Sequence, residues 1–271
     1  MPEAHEGCHF REQDGVKYLV FDSIEKSGLV THGYTTRIGG VSGGPFSSLN
    51  PGLTSGDERE NVLKNRHIIA GALGIYPEES LILEHGSKVY VAGDGAAGDK
   101  AGADAVITDR PGVALVILYA DCVPVFILDM KTPSIALIHA GWRSTAGLVV
   151  RETLRKMKEL YGTEGCHCLA AIAPSIGPCC FLVDDDVARV FLGTFGERKD
   201  LIRETSNKWS IDLWKLNEWQ LLQEGVPGVN ISTARLCSSC MPELFYSYRR
   251  DRRITGRMAA LITLKGKRSN P

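Results

Sequence analysis

The centre of the chain, between positions 81 and 140, is a succession of short apolar segments rich in β-branched residues. The six segments are Leu81–Leu83, Val89–Val91, Ala105–Thr108, Val113–Tyr119, Val123–Leu128 and Ile135–His139. Polar residues, Gly or Pro separate them, and runs of this length between turn residues predict strands. Because the runs are apolar at consecutive positions, the strands are expected to be buried on both faces. This centre constrains the chain to a β-rich core.

Helices and further strands are predicted on both sides of this core. Apolar residues at positions i, i+4, i+7 and i+11 predict a helix over Thr145–Tyr161. Ser55 is expected to cap another helix over Asp57–Leu73, which ends at Gly74. The other predicted elements are strands over Val16–Phe21, Leu29–Thr35, Leu169–Ala173 and Met258–Leu264, and helices over Asp184–Phe195 and Ile211–Leu222. This mixture of elements predicts an α/β fold.

No repeat, linker or abrupt change of composition divides the 271 residues, so we expect a single domain over residues 1–271. Residues 1–14 are expected to form a flexible N-terminus. The Gly- and Ser-rich stretch Ile38–Asn50 must be a loop. A loop of this length in a compact domain is often functional.

Charge and hydropathy limit the partners of the chain. Its 31 Lys and Arg against 32 Asp and Glu leave a net charge of −1, so no general field attracts nucleic acid or an anionic membrane. The longest apolar run, Val113–Ala120, falls well short of the roughly 20 residues that span a bilayer. The N-terminus lacks a basic segment followed by an apolar run, so a cytoplasmic location is expected. The oligomeric state stays open.

A histidine or a cysteine stands where three of the central apolar runs stop. These residues are His85, Cys122 and His139. The ends of strands are where an α/β fold builds its site. Cys122 and His139 are 139 − 122 = 17 positions apart, enough for a strand, a turn and the neighbouring strand. Both side chains can therefore point into one cleft, which His85 would reach from a third strand.

Several kinds of chemistry suit these three residues. Zn²⁺ binds imidazole nitrogen and thiolate sulfur and, in catalytic sites, keeps a fourth position for water. Two histidines and one cysteine also hold copper in some proteins. Without a metal, Cys122 activated by His139 would be a thiol nucleophile. The default alternative is a buried cysteine with two separately hydrogen-bonded histidines.

Further cysteines form a weaker pattern. Cys237 and Cys240 have the CxxC spacing of a zinc-binding pair. A structural zinc site usually needs a second pair, and the candidates are Cys166 with Cys168 and Cys179 with Cys180. Without such a partner the CxxC sequence is typical of two core thiols, so the function of these cysteines stays open.

Six segments, in order over most of the chain, carry a family resemblance. They are THGYTTRIGGVSGGPFSSLN at 31–50, LEHG at 83–86, ADCVPV at 120–125, HAGWRSTAGLV at 139–149, APSIGPCCF at 173–181 and LFYSYRRDRRITGRMAALI at 244–262. Together they resemble the YfiH/YlmD family, also called the multicopper polyphenol oxidase (laccase-like) or purine nucleoside phosphorylase family. The resemblance implies a single layered α/β/β/α domain with mixed sheets. It also implies a mononuclear metal site on His85, Cys122 and His139, although the family usually has Gln-Val where this chain has Leu83-Glu84.

For function, the resemblance implies zinc-dependent phosphorolysis of adenosine, inosine and S-methyl-5'-thioadenosine, with adenosine deamination as a second activity. The expected partners are then a nucleoside and phosphate. Phenol oxidation with copper is the older assignment of the family. A multinuclear copper cluster needs many imidazoles, whereas the chain has only seven histidines.

The residues considered for catalysis are Asp121, Cys122 and Arg143. Those considered for substrate binding are Arg37, Asn50 and Arg249. Asp121 is the carboxylate nearest to Cys122 in sequence, and it would either shuttle a proton or orient a metal ligand. The three arginines would contact phosphate or ribose, because a guanidinium fork matches phosphate. Asn50 would be a polar contact from the long loop.

Three alternatives stay open at this stage. A copper-dependent oxidase acting on phenols predicts oxygen uptake that tracks copper content. A metal-free Cys-His hydrolase predicts that a chelator leaves the activity intact while a thiol alkylator abolishes it. A binding module with structural zinc predicts four filled ligand positions and no bound water.

Overall fold

The computed structural model describes residues 7–77, 83–93, 102–198 and 200–266. The strands are β1 (Cys8–Gln13), β2 (Val16–Phe21), β3 (Val30–Thr35), β4 (Lys88–Val91), β5 (Ala103–Thr108), β6 (Ala114–Tyr119), β7 (Val123–Asp129), β8 (Ser134–Ala140), β9 (Cys168–Ile172), β10 (Leu182–Val183), β11 (Ile202–Glu204), β12 (Trp209–Ile211), β13 (Ile231–Thr233) and β14 (Met258–Leu264). The α-helices are α1 (Asp22–Lys26), α2 (Arg59–Leu73), α3 (Trp142–Ala146), α4 (Val149–Tyr161), α5 (Asp185–Phe195) and α6 (Leu213–Gln223). Across these ranges no helix is long and apolar enough to cross a membrane.

Two large sheets and one small sheet organise the strands. The first large sheet is antiparallel, with the order β1-β2-β3-β14-β6. The second has the order β13-β9-β7-β8-β5-β4 and is mixed, because its outermost pairs at both edges are parallel. The small antiparallel sheet has the order β10-β12-β11.

The alternation of side chains along β7 shows how the layers stack. Val125 and Ile127 belong to the core beneath the helices, whereas Phe126 and Leu128 belong to the core between the two large sheets. Successive strand residues point to opposite faces, so a strand that is apolar at every position is buried on both sides. The predicted β-rich core is therefore confirmed.

Helices cover the outer faces of both large sheets. Leu154 and Met157 of α4 and Leu216 of α6 pack on the second sheet. Ile69 and Leu73 of α2 pack on the first sheet. The layers run helix, sheet, sheet, helix, which confirms the α/β/β/α arrangement that the resemblance implied, although only the second large sheet is mixed and the first is antiparallel.

The helix predicted over Thr145–Tyr161 is corrected to two helices, α3 and α4. Between them the amide of Gly147 donates to the carbonyl of Arg143, and Leu148 takes a left-handed conformation with φ of 60°. The apolar spacing that predicted the helix continues within α4, so hydropathy alone does not mark the break.

The start of α2 also differs from the prediction over Asp57–Leu73, because the helix begins at Arg59. The Ser55 hydroxyl does not cap it and donates instead to the carbonyl of Gly52. The predicted end is confirmed, since Gly74 closes the helix in the left-handed region with φ of 68°.

Part of the expected flexible N-terminus is an ordered strand. Residues 8–13 form β1, which pairs along its whole length with β2. Only Cys8 of this strand is fully buried, so the segment lacks the apolar pattern that would predict a strand. Of the strand predicted over Leu81–Leu83, the first two residues lie outside the described residues, and Leu83 is not in a strand.

Candidate metal centre and adjoining cleft

Three predicted residues converge at one end of the core between the sheets. His85 lies in the loop before β4, Cys122 lies just before β7, and His139 belongs to β8. One nitrogen of each imidazole and the Cys122 sulfur all lie within 4.8 Å of one another. β7 and β8 are antiparallel neighbours with Pro124 opposite His139, which brings Cys122 to the same end. The predicted convergence of the three side chains is confirmed.

Gly141 leaves the space in which the three side chains meet. A Cβ atom at this position would lie 2.8 Å from Nδ1 of His85 and 3.2 Å from Sγ of Cys122. The same atom would lie 3.5 Å from Cε1 of His139. The donor atoms thus surround a small volume that only glycine keeps open.

The buried carboxylate of Asp104 holds two of the three residues in place. Its Oδ1 accepts hydrogen bonds from Nδ1 of His139 at 2.9 Å and from the amide of His85 at 3.1 Å. Its Oδ2 accepts from the amide of Gly86 at 2.6 Å. Because Nδ1 of His139 is engaged, Nε2 is the nitrogen that faces the site, an arrangement typical of metal-binding histidines.

The same contacts shift the pKa values of the site. Burial alone would raise the pKa of Asp104, but the hydrogen bonds from His139 and Gly86 hold it below its usual range. Burial also lowers the pKa of His85, and the positive charges of His139 and Arg143 lower it further. His85 is therefore neutral at pH 7, which is the form that binds a metal ion.

His139 has the opposite balance. Burial lowers its pKa, but the charge on Cys122 and the hydrogen bond to Asp104 outweigh burial and raise the pKa to about 9. The ring of Tyr119 lies 5.5 Å from the ring of His139 and covers it, while the Tyr119 hydroxyl donates to the carbonyl of Ile138. His139 is thus a rigid, enclosed member of the site.

Two residues of the site have a left-handed backbone. The φ angle is 57° at His85 and 86° at Asp121. This region costs an L-residue roughly 1–2 kcal/mol. Hydrogen bonds hold both turns, because Asp104 accepts from the amides of His85 and Gly86, and the Asp121 carbonyl accepts from the amide of Ile176.

A cleft with aromatic walls opens beside Cys122. Its rings are Trp142, Phe181 and Tyr248, with Asp121 and Arg249 on the polar side. The enclosed part holds about 120 Å³, which is below the roughly 300 Å³ of a fully enclosing ligand site. A ligand larger than one planar ring system therefore extends beyond the cleft.

Two of the predicted arginines flank this cleft. The guanidinium of Arg143 lies 4.1 Å from the centre of the Trp142 ring. That of Arg249 lies 5.5 Å from the Phe181 ring, and its Nη1 donates to the carbonyl of Leu182 at 2.9 Å. Both cations therefore stand against aromatic walls, where an anion can approach them.

The Asp121 side chain links the segments that contain Ser238 and Arg249. Its carboxylate accepts from the Ser238 hydroxyl at 2.6 Å and from the amide of Arg249 at 2.7 Å. Both of its oxygens are thus engaged. Neither partner is one of the three candidate metal ligands, so the Asp121 side chain positions the backbone of Arg249 and not a metal ligand.

Arg37 and Asn50 lie elsewhere. The Arg37 guanidinium donates to the carbonyls of Ser47 and Pro242, in a shallow surface hollow that shares no residue with the cleft. Asn50 is fully buried, and its side chain binds groups including the amide of Arg257. Neither residue lines the cleft, so the substrate contacts predicted for them are not supported.

Two residues of the site were missed from the sequence. Asp104 directly precedes the apolar run Ala105–Thr108, where a lone aspartate predicts no partner. Arg257 is half-buried, and the charges of Cys122 and Asp121 reach it, although burial dominates and lowers its pKa. Its position near the end of LFYSYRRDRRITGRMAALI is the sequence signal that could have indicated it, but four other arginines at 249–253 precede it in the same segment.

Comparison with known proteins bears on this site. Residues 31–265 match the family model described as "Multi-copper polyphenol oxidoreductase laccase". The chain is 38% identical over 242 residues to a Geobacillus stearothermophilus protein named purine nucleoside phosphorylase YlmD, covering 85% of this chain and 88% of that protein. The chain belongs to the YfiH/YlmD family. It is also 34% identical over 233 residues to Escherichia coli purine nucleoside phosphorylase YfiH, covering 85% of this chain and 92% of that protein.

Solved structures agree with this YfiH/YlmD membership. The crystal structure of YlmD from Geobacillus stearothermophilus has a TM-score of 0.85 at 35% identity, covering 95% of this chain and 99% of that chain. The crystal structure of a Bacillus licheniformis protein titled hypothetical protein YfiH has a TM-score of 0.84 at 31% identity, covering 94% and 99%. The residues matched to the family, 31–265, include all the site residues described above.

Proposed function

We propose that this YfiH/YlmD protein is a zinc-dependent purine nucleoside phosphorylase that acts on adenosine, inosine and S-methyl-5'-thioadenosine and that also deaminates adenosine. One observation carries the proposal: His85, Cys122 and His139 converge beside a cleft with aromatic walls, which Arg249 lines and whose Trp142 ring is covered by the Arg143 guanidinium. The names of the relatives, which are purine nucleoside phosphorylases, support the class of substrate.

The three converging side chains fit a zinc ion. Two imidazoles and a thiolate supply three of the four tetrahedral ligands, and the fourth position stays open to water or substrate. Gly141 leaves room between the donors, and Asp104 presents Nε2 of His139. When bound there, zinc supplies Lewis acidity and lowers the pKa of water.

The aromatic walls suit a purine base. Trp142, Phe181 and Tyr248 offer faces on which a planar base stacks, and such stacking stabilises binding by about 1–3 kcal/mol per base. The small enclosed volume accepts the base and leaves the ribose toward the rim. Stacking tolerates different bases, which agrees with a set of several purine nucleosides.

The cations at the rim suit phosphate. In phosphorolysis a phosphate oxygen forms a bond to C1' of the ribose, and the bond from C1' to the base breaks with its electron pair moving to the base. Arg143 and Arg249 would hold the phosphate, and a guanidinium fork can bind two of its oxygens at once. Their charge also offsets repulsion between phosphate and the electron-rich departing base. Asp121 positions Arg249 for this contact through its amide.

The copper-oxidase alternative finds less support in the placement of histidines. Four other histidines are described, His9, His32, His67 and His167, and none belongs to the group formed by His85, Cys122 and His139. His9 is bound to Asp22, and His32 accepts from the amide of Phe21. A multinuclear cluster would need more imidazoles at one place.

Product analysis with adenosine tests the proposal. Purified protein is incubated with adenosine with and without phosphate, and the zinc content of the same sample is measured. Adenine is expected only with phosphate, and inosine is expected without it. His85→Ala/Cys122→Ala should abolish both products, whereas His67→Ala, which removes an exposed histidine on α2, should not change them.

Other outcomes would contradict parts of the proposal. Zinc-loaded protein that forms neither product excludes the nucleoside assignment. Oxygen uptake with a phenol that tracks added copper would favour the oxidase. Activity that survives a chelator but not a thiol alkylator would favour the metal-free Cys-His hydrolase.

A further inference from the structure

Four cysteines outside the proposed active site form a second cluster. Cys179 and Cys180 lie in the turn that follows β9, and Cys237 and Cys240 bound the turn that follows β13. All four sulfur atoms lie within 4.8 Å of one another. Cys240 Sγ is 3.6 Å from Cys179 Sγ and 3.4 Å from Cys180 Sγ. The second pair that the CxxC sequence requires is therefore present.

Backbone contacts hold the two turns together independently of the sulfur atoms. Ser175 and Cys237 form a parallel bridge, in which the amide of Ser175 donates to the Leu236 carbonyl and the amide of Ser238 donates to the Ser175 carbonyl. The amide of Gly177 donates to Cys237 Sγ at 3.3 Å. Such a donor stabilises a thiolate, which is the form of cysteine that binds metals.

Two of the sulfur–sulfur distances are close to the edge of a tetrahedron of thiolates, and the others are at most 4.8 Å. With zinc–sulfur bonds of about 2.3 Å, the edges of a tetrahedral site are about 3.8 Å. The measured separations of 3.4 and 3.6 Å are close to that edge. They are far longer than the roughly 2.05 Å bond of a disulfide. Four sulfur atoms within 4.8 Å of one another also exceed what one disulfide would bring together.

We propose that Cys179, Cys180, Cys237 and Cys240 form a tetrathiolate zinc site, separate from the centre formed by His85, Cys122 and His139. Four sulfur ligands in a tetrahedral arrangement select zinc or iron among common metals, and a closed set of four is typical of a structural zinc site. Binding releases a proton from each ligand that was a thiol. The site shares no ligand with the proposed active centre, so it does not depend on the proposed function.

The position of the cluster indicates what the ion would stabilise. Ser238, between two of the ligands, donates its hydroxyl to Asp121, and its carbonyl accepts from Nη1 of Arg250. Phe181 follows Cys180 directly and forms part of the cleft wall. The zinc ion would therefore fix two turns that shape the cleft, without touching the substrate.

Metal analysis on the full chain tests the site. His85→Ala/His139→Ala removes two ligands of the active centre and is expected to keep about one zinc per chain. Cys179→Ser/Cys240→Ser should lose one zinc relative to wild type. Cys166→Ser is the matched control, because it removes an exposed thiol outside the cluster and should leave the zinc content unchanged.

Wild-type protein supplies a measurement that needs no variant to fold. Zinc X-ray absorption gives the mean number of sulfur neighbours, which is expected to be four with this site alone and about 2.5 if the His/Cys/His centre also holds zinc. A mean of one sulfur per zinc, or protein without zinc, would overturn the tetrathiolate site. Iron at the four sulfur atoms would overturn the choice of metal. A mass lower by two hydrogens, restored by reductant, would indicate a disulfide in place of the ion.

Discussion

Asp104→Asn tests whether a buried carboxylate sets the geometry of the His/Cys/His centre. Oδ1 of Asp104 accepts from Nδ1 of His139 and from the amide of His85, and Oδ2 accepts from the amide of Gly86 at 2.6 Å. Asparagine replaces one of these oxygens with an amino group that donates. The groups of His139, His85 and Gly86 that face the two oxygens are all donors. In either orientation of the asparagine amide, its amino group therefore faces another donor.

The expected loss of metal affinity in Asp104→Asn follows from the rearrangement that disturbs the site least. If His139 changes tautomer, its Nδ1 accepts from the asparagine, and the ring proton moves to Nε2, which can then no longer bind a metal. Replacing such a carboxylate partner lowers metal affinity about 10- to 100-fold. That range corresponds to about 1.4–2.7 kcal/mol. A buried donor left unpaired costs a further 1–3 kcal/mol or so of unfolding free energy.

Zinc affinity is measured by competition with a chromophoric chelator, and phosphorolysis is measured with limiting and with excess zinc. We expect weaker affinity and partial recovery of the rate with excess zinc. Asp129→Asn is the matched control, because this buried carboxylate accepts from the amides of Lys131 and Thr132 in a turn away from the site. The control should lose stability and keep its zinc affinity. Wild-type zinc affinity and rate in Asp104→Asn would show that this carboxylate does not set the geometry of the centre.

Three further predictions follow from particular contacts. Gly141→Ala places a methyl group 2.8 Å from Nδ1 of His85 and should remove the zinc of the His/Cys/His centre, a loss of about one zinc per chain, whereas Gly193→Ala, with open space around it, should not; equal zinc content in the two variants would contradict this. Arg143→Ala should raise the phosphate KM or lower the rate, as measured by steady-state kinetics, and wild-type kinetics would remove it from the site. Burial lowers the pKa of His32 to about 3, so its contribution to stability is complete above pH 6.5 and is lost as pH falls from 6.5 toward 3. Urea unfolding of His32→Gln should therefore show a pH slope flatter by up to about 1.4 kcal/mol per pH unit in that range, and an unchanged slope would refute it.

The strands were predicted well where burial imposes a pattern. β2 and β14 have the predicted bounds, because both are largely apolar and a polar residue, Asp22 or Lys265, follows each of them. The short strands β10 to β13 were missed, since two or three residues are too few to show an alternation. The break at Leu148 was also missed, because its left-handed turn depends on hydrogen bonds rather than on hydropathy.

The site was predictable where chemistry and strand ends coincide. Cys122 and His139 stood out because a reactive side chain stands beside the end of a buried strand, β7 or β8. His85 was expected on a third strand, but it lies in the loop before β4. Asn50 illustrates the opposite case, since a polar residue in a long loop is as often buried to hold the loop as exposed to bind a ligand. Its partners, including the distant amide of Arg257, are set by tertiary packing. No local pattern contains that information.

The two imidazoles of the centre come from elements of unequal rigidity, and their shared contact compensates for the difference. His139 lies in a central strand and is enclosed, whereas His85 is exposed in a loop with a left-handed backbone. Oδ1 of Asp104 accepts from the ring of His139 and from the amide of His85. One buried oxygen of β5 therefore fixes the positions of both ligands. The backbone of the loop histidine is thereby tied to β5 while its outer side stays open. A centre that must hold a metal and admit a substrate needs that combination.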